Sequence, residues 1–171
     1  MVYGGGVRYP LNVIYFNAIL YNPEEIASPD DCILSLFGQP ILKTKLFRFS
    51  HTDYYKKEMG ENLWKYFVGY NLMELPDRLA LYKRITVEIE MLYSRLGKRL
   101  LNIDVGYVAH EKIVLASTKN FTHRIYIDEG IYGDVQLMRK KGSYECLDWT
   151  YDDYKYDFVS KFFEKMRSLV L

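Results

Sequence analysis

Three groups of residues have types and spacings that can do chemistry. The first is 117–124, where Ser117, Thr118, Lys119, Asn120, Thr122, His123 and Arg124 are interrupted by a single aromatic residue, Phe121. Hydroxyls and backbone amides in such a loop can contact anionic oxygens, with Lys119 as a point charge and Arg124 as a planar two-donor fork. His123 titrates near neutral pH and can move a proton. The plainer reading is a polar turn whose Arg124 pairs with Asp128 or Glu129. The second group, 49–58, places His51, Asp53 and Glu58 beside Tyr54 and Tyr55. Asp53 and Glu58 become the acidic counterpart of the first group if the two loops fold together. The third is Arg139-Lys140-Lys141, which suits either a nucleic-acid backbone or, more simply, the soluble edge of a hairpin.

The signatures that would specify a reaction are missing from the chain. It has no G-x-x-x-x-G-K-[ST] loop, no G-x-G-x-x-G after a strand, no H-E-x-x-H, no G-x-S-x-G and no C-x-x-C. Standard P-loop and dinucleotide chemistry is therefore not expected, and no cofactor is specified. The three histidines, His51, His110 and His123, are far apart in sequence, so no local metal spacing exists and no metal site is expected.

Composition narrows the class further. The chain has 171 residues, 49% hydrophobic and 26% charged, which is globular composition long enough for one core. We expect one domain over 1–171, with 1–10 and its Gly4-Gly5-Gly6 run as a flexible start. A formal net charge of +1 provides no global field toward nucleic acid. Cys32 and Cys146 are too few for a disulfide framework, and 1–10 does not read as a signal peptide. No apolar run reaches the length of a membrane span, so a cytoplasmic protein without membrane contact is expected. The 17 tyrosines suit half-buried strand faces and recognition surfaces alike.

The elements that must position these groups follow from periodicity. Residues 11–21 are nearly continuous in apolar side chains, as in a central strand covered on both faces. Ser28-Pro29-Asp30-Asp31 reads as the start of a helix to about Phe37. Strands are expected at 41–49 and 64–73, joined by a long polar connection. Leu79, Tyr82, Ile85, Ile89, Leu92 and Leu96 make one stripe of a helix over 75–96, closed by Gly97. Strands follow at 102–108, 112–116, 124–128, 132–139 and 144–147. Thr150 and Asp153 read as the cap of a closing helix with Phe158, Phe162, Met166 and Leu169 on its apolar face. This order predicts an α+β fold with an antiparallel or mixed sheet and helices mainly on one face. It has a ferredoxin-like βαββαβ start, extended by a C-terminal β-meander and helix.

Five blocks of residues carry a resemblance to a known family. They are Phe49-x-x-Thr52-Asp53-Tyr54-Tyr55-x-x-Glu58-Met59-Gly60, Asn102-Ile103-Asp104-x-Gly106-Tyr107, Leu115-Ala116-Ser117-Thr118-Lys119-x-Phe121-x-His123-Arg124-Ile125-Tyr126, Gly130-Ile131-Tyr132, and Trp149-Thr150-Tyr151-x-Asp153-Tyr154. In order and wording the chain resembles an uncharacterised prokaryotic family, domain of unknown function 4416, some of whose members are labelled GTP-binding protein. The resemblance implies that Asp53, Tyr54, Tyr55, Glu58, Asp104, Tyr107, Lys119, His123, Arg124, Tyr132, Trp149 and Tyr154 belong together. The expected function is binding of a small molecule or nucleotide phosphate, extending to a hydrolase or transferase. Thr118, Lys119 and Arg124 would hold the anion, Tyr54, Tyr107 and Tyr132 would contact the ligand, and His123, Asp53 and Glu58 would handle protons. The alternative is a non-catalytic domain that binds protein or RNA through exposed tyrosines and edge strands.

Overall fold

The computed structural model describes residues 6–29, 33 and 36–170. Strand β1 (Val13–Tyr21) is buried along its whole length. It pairs antiparallel with β4 (Trp64–Glu74) on one side and with β7 (Leu101–Val108) on the other. Strands β2 (Pro40–Lys43) and β3 (Phe47–Arg48) both pair antiparallel with β4. The order β7-β1-β4-β2 therefore makes β1 parallel to β2 and β4 parallel to β7, each pair split by an antiparallel strand. That is the expected ferredoxin-like start. The sheet continues through β8 (Lys112–Ser117) and β10 (Ile131–Lys140), and β9 (Arg124–Asp128) and β11 (Ser143–Cys146) each pair with β10.

Alternation along β1 divides the core in two. Val13, Tyr15, Ile19 and Tyr21 face a cluster completed by the helical residues Ile33 and Phe37 and by Leu79, Ala80 and Ile89 of the long helix Leu79–Leu92. Ile14, Phe16 and Ala18 face Val159, Phe162, Phe163 and Met166 of the closing helix Asp157–Ser168. At roughly 1.5–3 kcal/mol for each large apolar side chain fully buried, both faces contribute heavily to stability. The closing helix thus takes the face opposite both the helical residues Ile33 and Phe37 and the long helix, which element order alone did not specify. Among the described residues no helix is long and apolar enough to cross a membrane.

Several boundaries differ from the sequence reading. The strand expected over 41–49 is broken in two at Thr44, whose hydroxyl accepts the Phe67 N–H at 3.0 Å in place of regular pairing. The long helix stops at Leu92 rather than Leu96, and Leu96 is 97% exposed. Leu96 and Gly97 have φ of 51° and 75° and turn a two-residue hairpin between β5 (Ser94–Arg95) and β6 (Lys98–Arg99), so Gly97 does not cap the helix. Thr150 and Asp153 do not cap the closing helix either. The Thr150 hydroxyl donates to the Gln136 carbonyl at 2.5 Å, and Asp153 is buried against Lys65. Asp30, Asp31 and Cys32, like Gly4 and Gly5, lie outside the described residues.

Candidate functional site at a split in the sheet

Strands β7 and β8 pair only through Gly106–Val108 and Ile113–Leu115 and diverge beyond them. The N-terminal half of β7 consequently turns an open edge away from β1, and buried backbone groups on such an edge need other partners. The long helix supplies them. The Ile103 N–H donates to Glu90 Oε1 at 2.7 Å, and Lys83 Nζ donates to the Ile103 carbonyl at 2.8 Å. Burial, opposed by Lys83, raises the Glu90 pKa above the ordinary carboxylate value. The wedge between the strands opens into a cavity of about 860 Å³, within the range of small-molecule sites.

Polar side chains from the sheet line the cavity where apolar ones would normally pack. Lys65 of β4 and Asn102 and Asp104 of β7 project to one face of the sheet, because Lys65 and Asn102 are both register partners of Leu20 and Asp104 is two residues further along β7. Lys65 Nζ lies 2.7 Å from Asp153 Oδ2 and 4.0 Å from Asp104 Oδ2, with the rings of Phe49 and Phe67 at 5.3 and 5.5 Å. Tyr55 and Tyr151 also line it. Desolvation, followed by the Asp104 charge, pushes both phenols well above their ordinary pKa and keeps them protonated as donors.

The loop 117–124 forms the opposite wall, and its geometry assigns different tasks to the residues singled out above. Arg124 Nε donates to Asp134 Oδ2 at 2.8 Å and Nη2 donates to the Tyr151 hydroxyl at 3.0 Å. Its Nη1 donates to Ser117 Oγ at 2.9 Å and to the Lys119 carbonyl at 3.0 Å. The fork is thus occupied by protein acceptors and fastens three segments together. Its carboxylate partner is Asp134, not Asp128 or Glu129; Glu129 pairs instead with Arg84. Asp134 is fully buried, and its other oxygen accepts from Gln136 Nε2 at 2.8 Å, while Gln136 Oε1 accepts the Tyr151 N–H at 2.8 Å.

Of the remaining sequence candidates, Thr118, Lys119 and Tyr54 line the cavity together with Arg124. Lys119 Nζ sits 4.3 Å above the Tyr54 ring and donates to its hydroxyl. His51 lines it too, with Nε2 2.5 Å from the Tyr156 hydroxyl. His123 stands behind the wall, its ring stacked on Trp149 at 4.7 Å and Nε2 3.5 Å from Asp134 Oδ2. The Asp53 carboxylate is 87% exposed and paired with Lys56 at 2.6 Å. Glu58 is one residue removed from the cavity, gripped by Arg99 through Oε1 at 2.7 Å and Oε2 at 2.9 Å. Tyr107 is buried in the core 6.1 Å from Tyr15, and burial pushes it up to about 12. Tyr132 packs against Tyr126 at 5.5 Å. The structure therefore does not gather Asp53, Glu58, His123 and Arg124 around one ligand position. Among the described residues no three of His, Cys, Asp and Glu are grouped to hold a metal ion.

Sequence reasoning missed Lys65, Asn102 and Asp153 as cavity residues. The available signal was a polar side chain inside an apolar strand, Lys65 within β4 and Asn102 within β7, at positions where ordinary packing would bury something apolar.

Fold and site together define a class, an α+β domain with a ferredoxin-like core extended by a meander and a polar cavity where its sheet splits. Residues 11–169 match the family model described as Domain of unknown function (DUF4416), and the chain belongs to that family. No curated protein and no solved structure matches it.

Proposed function

We propose that the protein binds a polar small molecule of about nucleotide size in the cavity between β7 and β8. The observation that carries this reading is the gap itself. A sheet that left Ile103 to be paired by side chains and enclosed Lys65, Asn102 and Asp104 beside about 860 Å³ of open space has given up packing that a purely structural sheet would keep. An anionic group on the ligand would be met by Lys119 and the Thr118 hydroxyl, since the Arg124 fork is already engaged. Calorimetry with ribonucleoside 5′-monophosphates, the matching nucleosides, ribose 5-phosphate and inorganic phosphate tests the reading. A phosphorylated probe is expected to bind, and Lys119→Ala to weaken it more than the unphosphorylated nucleoside. If none of these compounds binds at millimolar concentration, the reading falls.

A second reading has its own observation. Ile125 is 74% exposed, and Phe121 and Tyr126 are exposed beside it. They lie on or just before β9, which among the described residues pairs only with β10. An open apolar strand edge suits a partner protein that adds a strand. Ile125→Lys would then abolish an association detectable by sedimentation while leaving ligand binding unchanged.

A further inference from the structure

Resting on the cavity reading, we infer that Asn102 and Asp104 form a paired grip for a ligand that presents an acceptor and a donor on adjacent atoms. The cis-amide edge of a nucleobase has this chemistry, and so does the vicinal diol of a sugar. Asn102 is 4% exposed and lines the cavity, and its Nδ2, itself buried, has no hydrogen-bond partner among the described residues. The Asn102 amide does not rotate freely, because Arg99 Nη1 donates to its Oδ1 at 3.1 Å and Arg99 is itself held by Glu58 and Glu90. Arg99 therefore fixes which end of the amide is left over, and that end is a donor. A buried amide N–H without a partner costs free energy that a ligand acceptor would recover.

Asp104 supplies the opposite half. It is two residues further along the same strand, so its side chain leaves the same face roughly 7 Å away. Its carboxylate is 20% exposed, and among the described residues its one close charged partner is Lys65, at 4.0 Å. Lys65 is drawn the other way, to Asp153 at 2.7 Å. Asp104 is thus left to accept from a ligand N–H or O–H. The separation is too large for one hydroxyl to bridge with two good hydrogen bonds and suits two neighbouring heteroatoms. Tyr54, Tyr55 and Tyr151 line the same cavity and add aromatic surface to its wall.

The test uses the full chain and calorimetry with the four ribonucleoside 5′-monophosphates. Asn102→Asp keeps the acceptor for Arg99 and removes the free donor, while Asp104→Asn keeps the shape and removes the charge. Each substitution is expected to weaken the tightest probe by about tenfold or more. The 2′,3′-dideoxy counterpart and ribose 5-phosphate separate the two sources. Loss with the dideoxy compound assigns the grip to the diol, and its retention alongside loss with ribose 5-phosphate assigns it to the base. A wild-type readout guards against variants that fail to fold, because the side-chain amide resonances of Asn102 should shift when the probe is added. Binding that both variants retain, or Asn102 resonances that stay still under saturating probe, overturns the grip and leaves the cavity reading standing. Absence of binding by every probe overturns both.

Discussion

Lys65 Nζ and Asp153 Oδ2 lie 2.7 Å apart with both side chains only 4% exposed, which joins a central strand to the turn that precedes the closing helix. A charge so far from water is tolerable only while its partner is present. Lys65→Met should destabilise the protein by about 3–5 kcal/mol, since it strands Asp153 and leaves Asp104 without its cation. Combining it with Asp153→Asn should recover part of that loss. Urea denaturation of both single variants and the double measures the effects, and an additive double variant would show that the pair is not coupled.

Arg124 is expected to behave as a structural fastener. Arg124→Ala leaves Asp134 fully buried beside the weaker partner His123 and frees both the 117–119 and 149–151 segments. A loss of about 3–5 kcal/mol in chemical denaturation is expected. Arg124→Lys should restore only part of it, because an ammonium cannot reproduce a fork that donates to Asp134, Ser117, the Lys119 carbonyl and Tyr151 together. A stability equal to wild type in Arg124→Ala would mean that the guanidinium is not holding the wall.

These two residues show how far the sequence was legible. The order of strands and helices could be read because Leu79, Tyr82, Ile85 and Ile89 repeat at helical spacing and because 11–21 is apolar on both faces of a strand. The turns Glu129-Gly130 and Lys141-Gly142, both left-handed at each position, were equally plain from their glycines. Local pattern carries no information about which loops meet. Density of polar residues drew attention to His123 and Arg124, yet their partners arrive from two other stretches of chain: Asp134 and Tyr151 occupy the Arg124 fork, and Trp149 stacks on the His123 ring. The cavity came instead from a pairing that stops at Gly106, which depends on the divergence of two strands and leaves no periodic mark. Its mark in the sequence is a polar residue inside an apolar strand, at Lys65 and Asn102, which periodicity and motif spacing do not single out.

Acid should weaken the contact between Glu58 and Arg99 in a defined window. Hydrogen bonds from Arg99 hold the Glu58 carboxyl below its ordinary pKa. As pH falls, the unfolded chain therefore takes up this proton first. The stabilisation is fully present above the unfolded value of about 4.3 and is lost as pH drops through the lower folded value. Glu58→Gln should cost about 1–2 kcal/mol at pH 7, and the gap from wild type should close toward pH 3. Glu90 carries the opposite sign, because burial raises its pKa and the folded state gains as it becomes protonated. Stability curves of wild type and Glu58→Gln that run parallel from pH 7 to pH 3 would contradict the assignment.

Gly106 marks the last paired position before β7 and β8 part, opposite Leu115. A Cβ there would lie 2.6 Å from the Val114 carbonyl oxygen and 2.7 Å from the Phe16 ring. The first of these contacts is with backbone and cannot be relieved by a rotamer change, so Gly106→Ala must push the strands apart or move Phe16 in the core. Overpacking of this kind costs about 1–3 kcal/mol. Gly133→Ala is the comparison, since its nearest neighbour is the Ile127 side chain at 3.2 Å, on the largely exposed outer strand, where a small shift suffices. The expected order of thermal stability is wild type, then Gly133→Ala, then Gly106→Ala. If strand separation is what shapes the cavity, Gly106→Ala should also speed hydrogen exchange at Ile103 and Leu115 more than at β1, whereas uniform acceleration across the sheet would indicate global destabilisation alone.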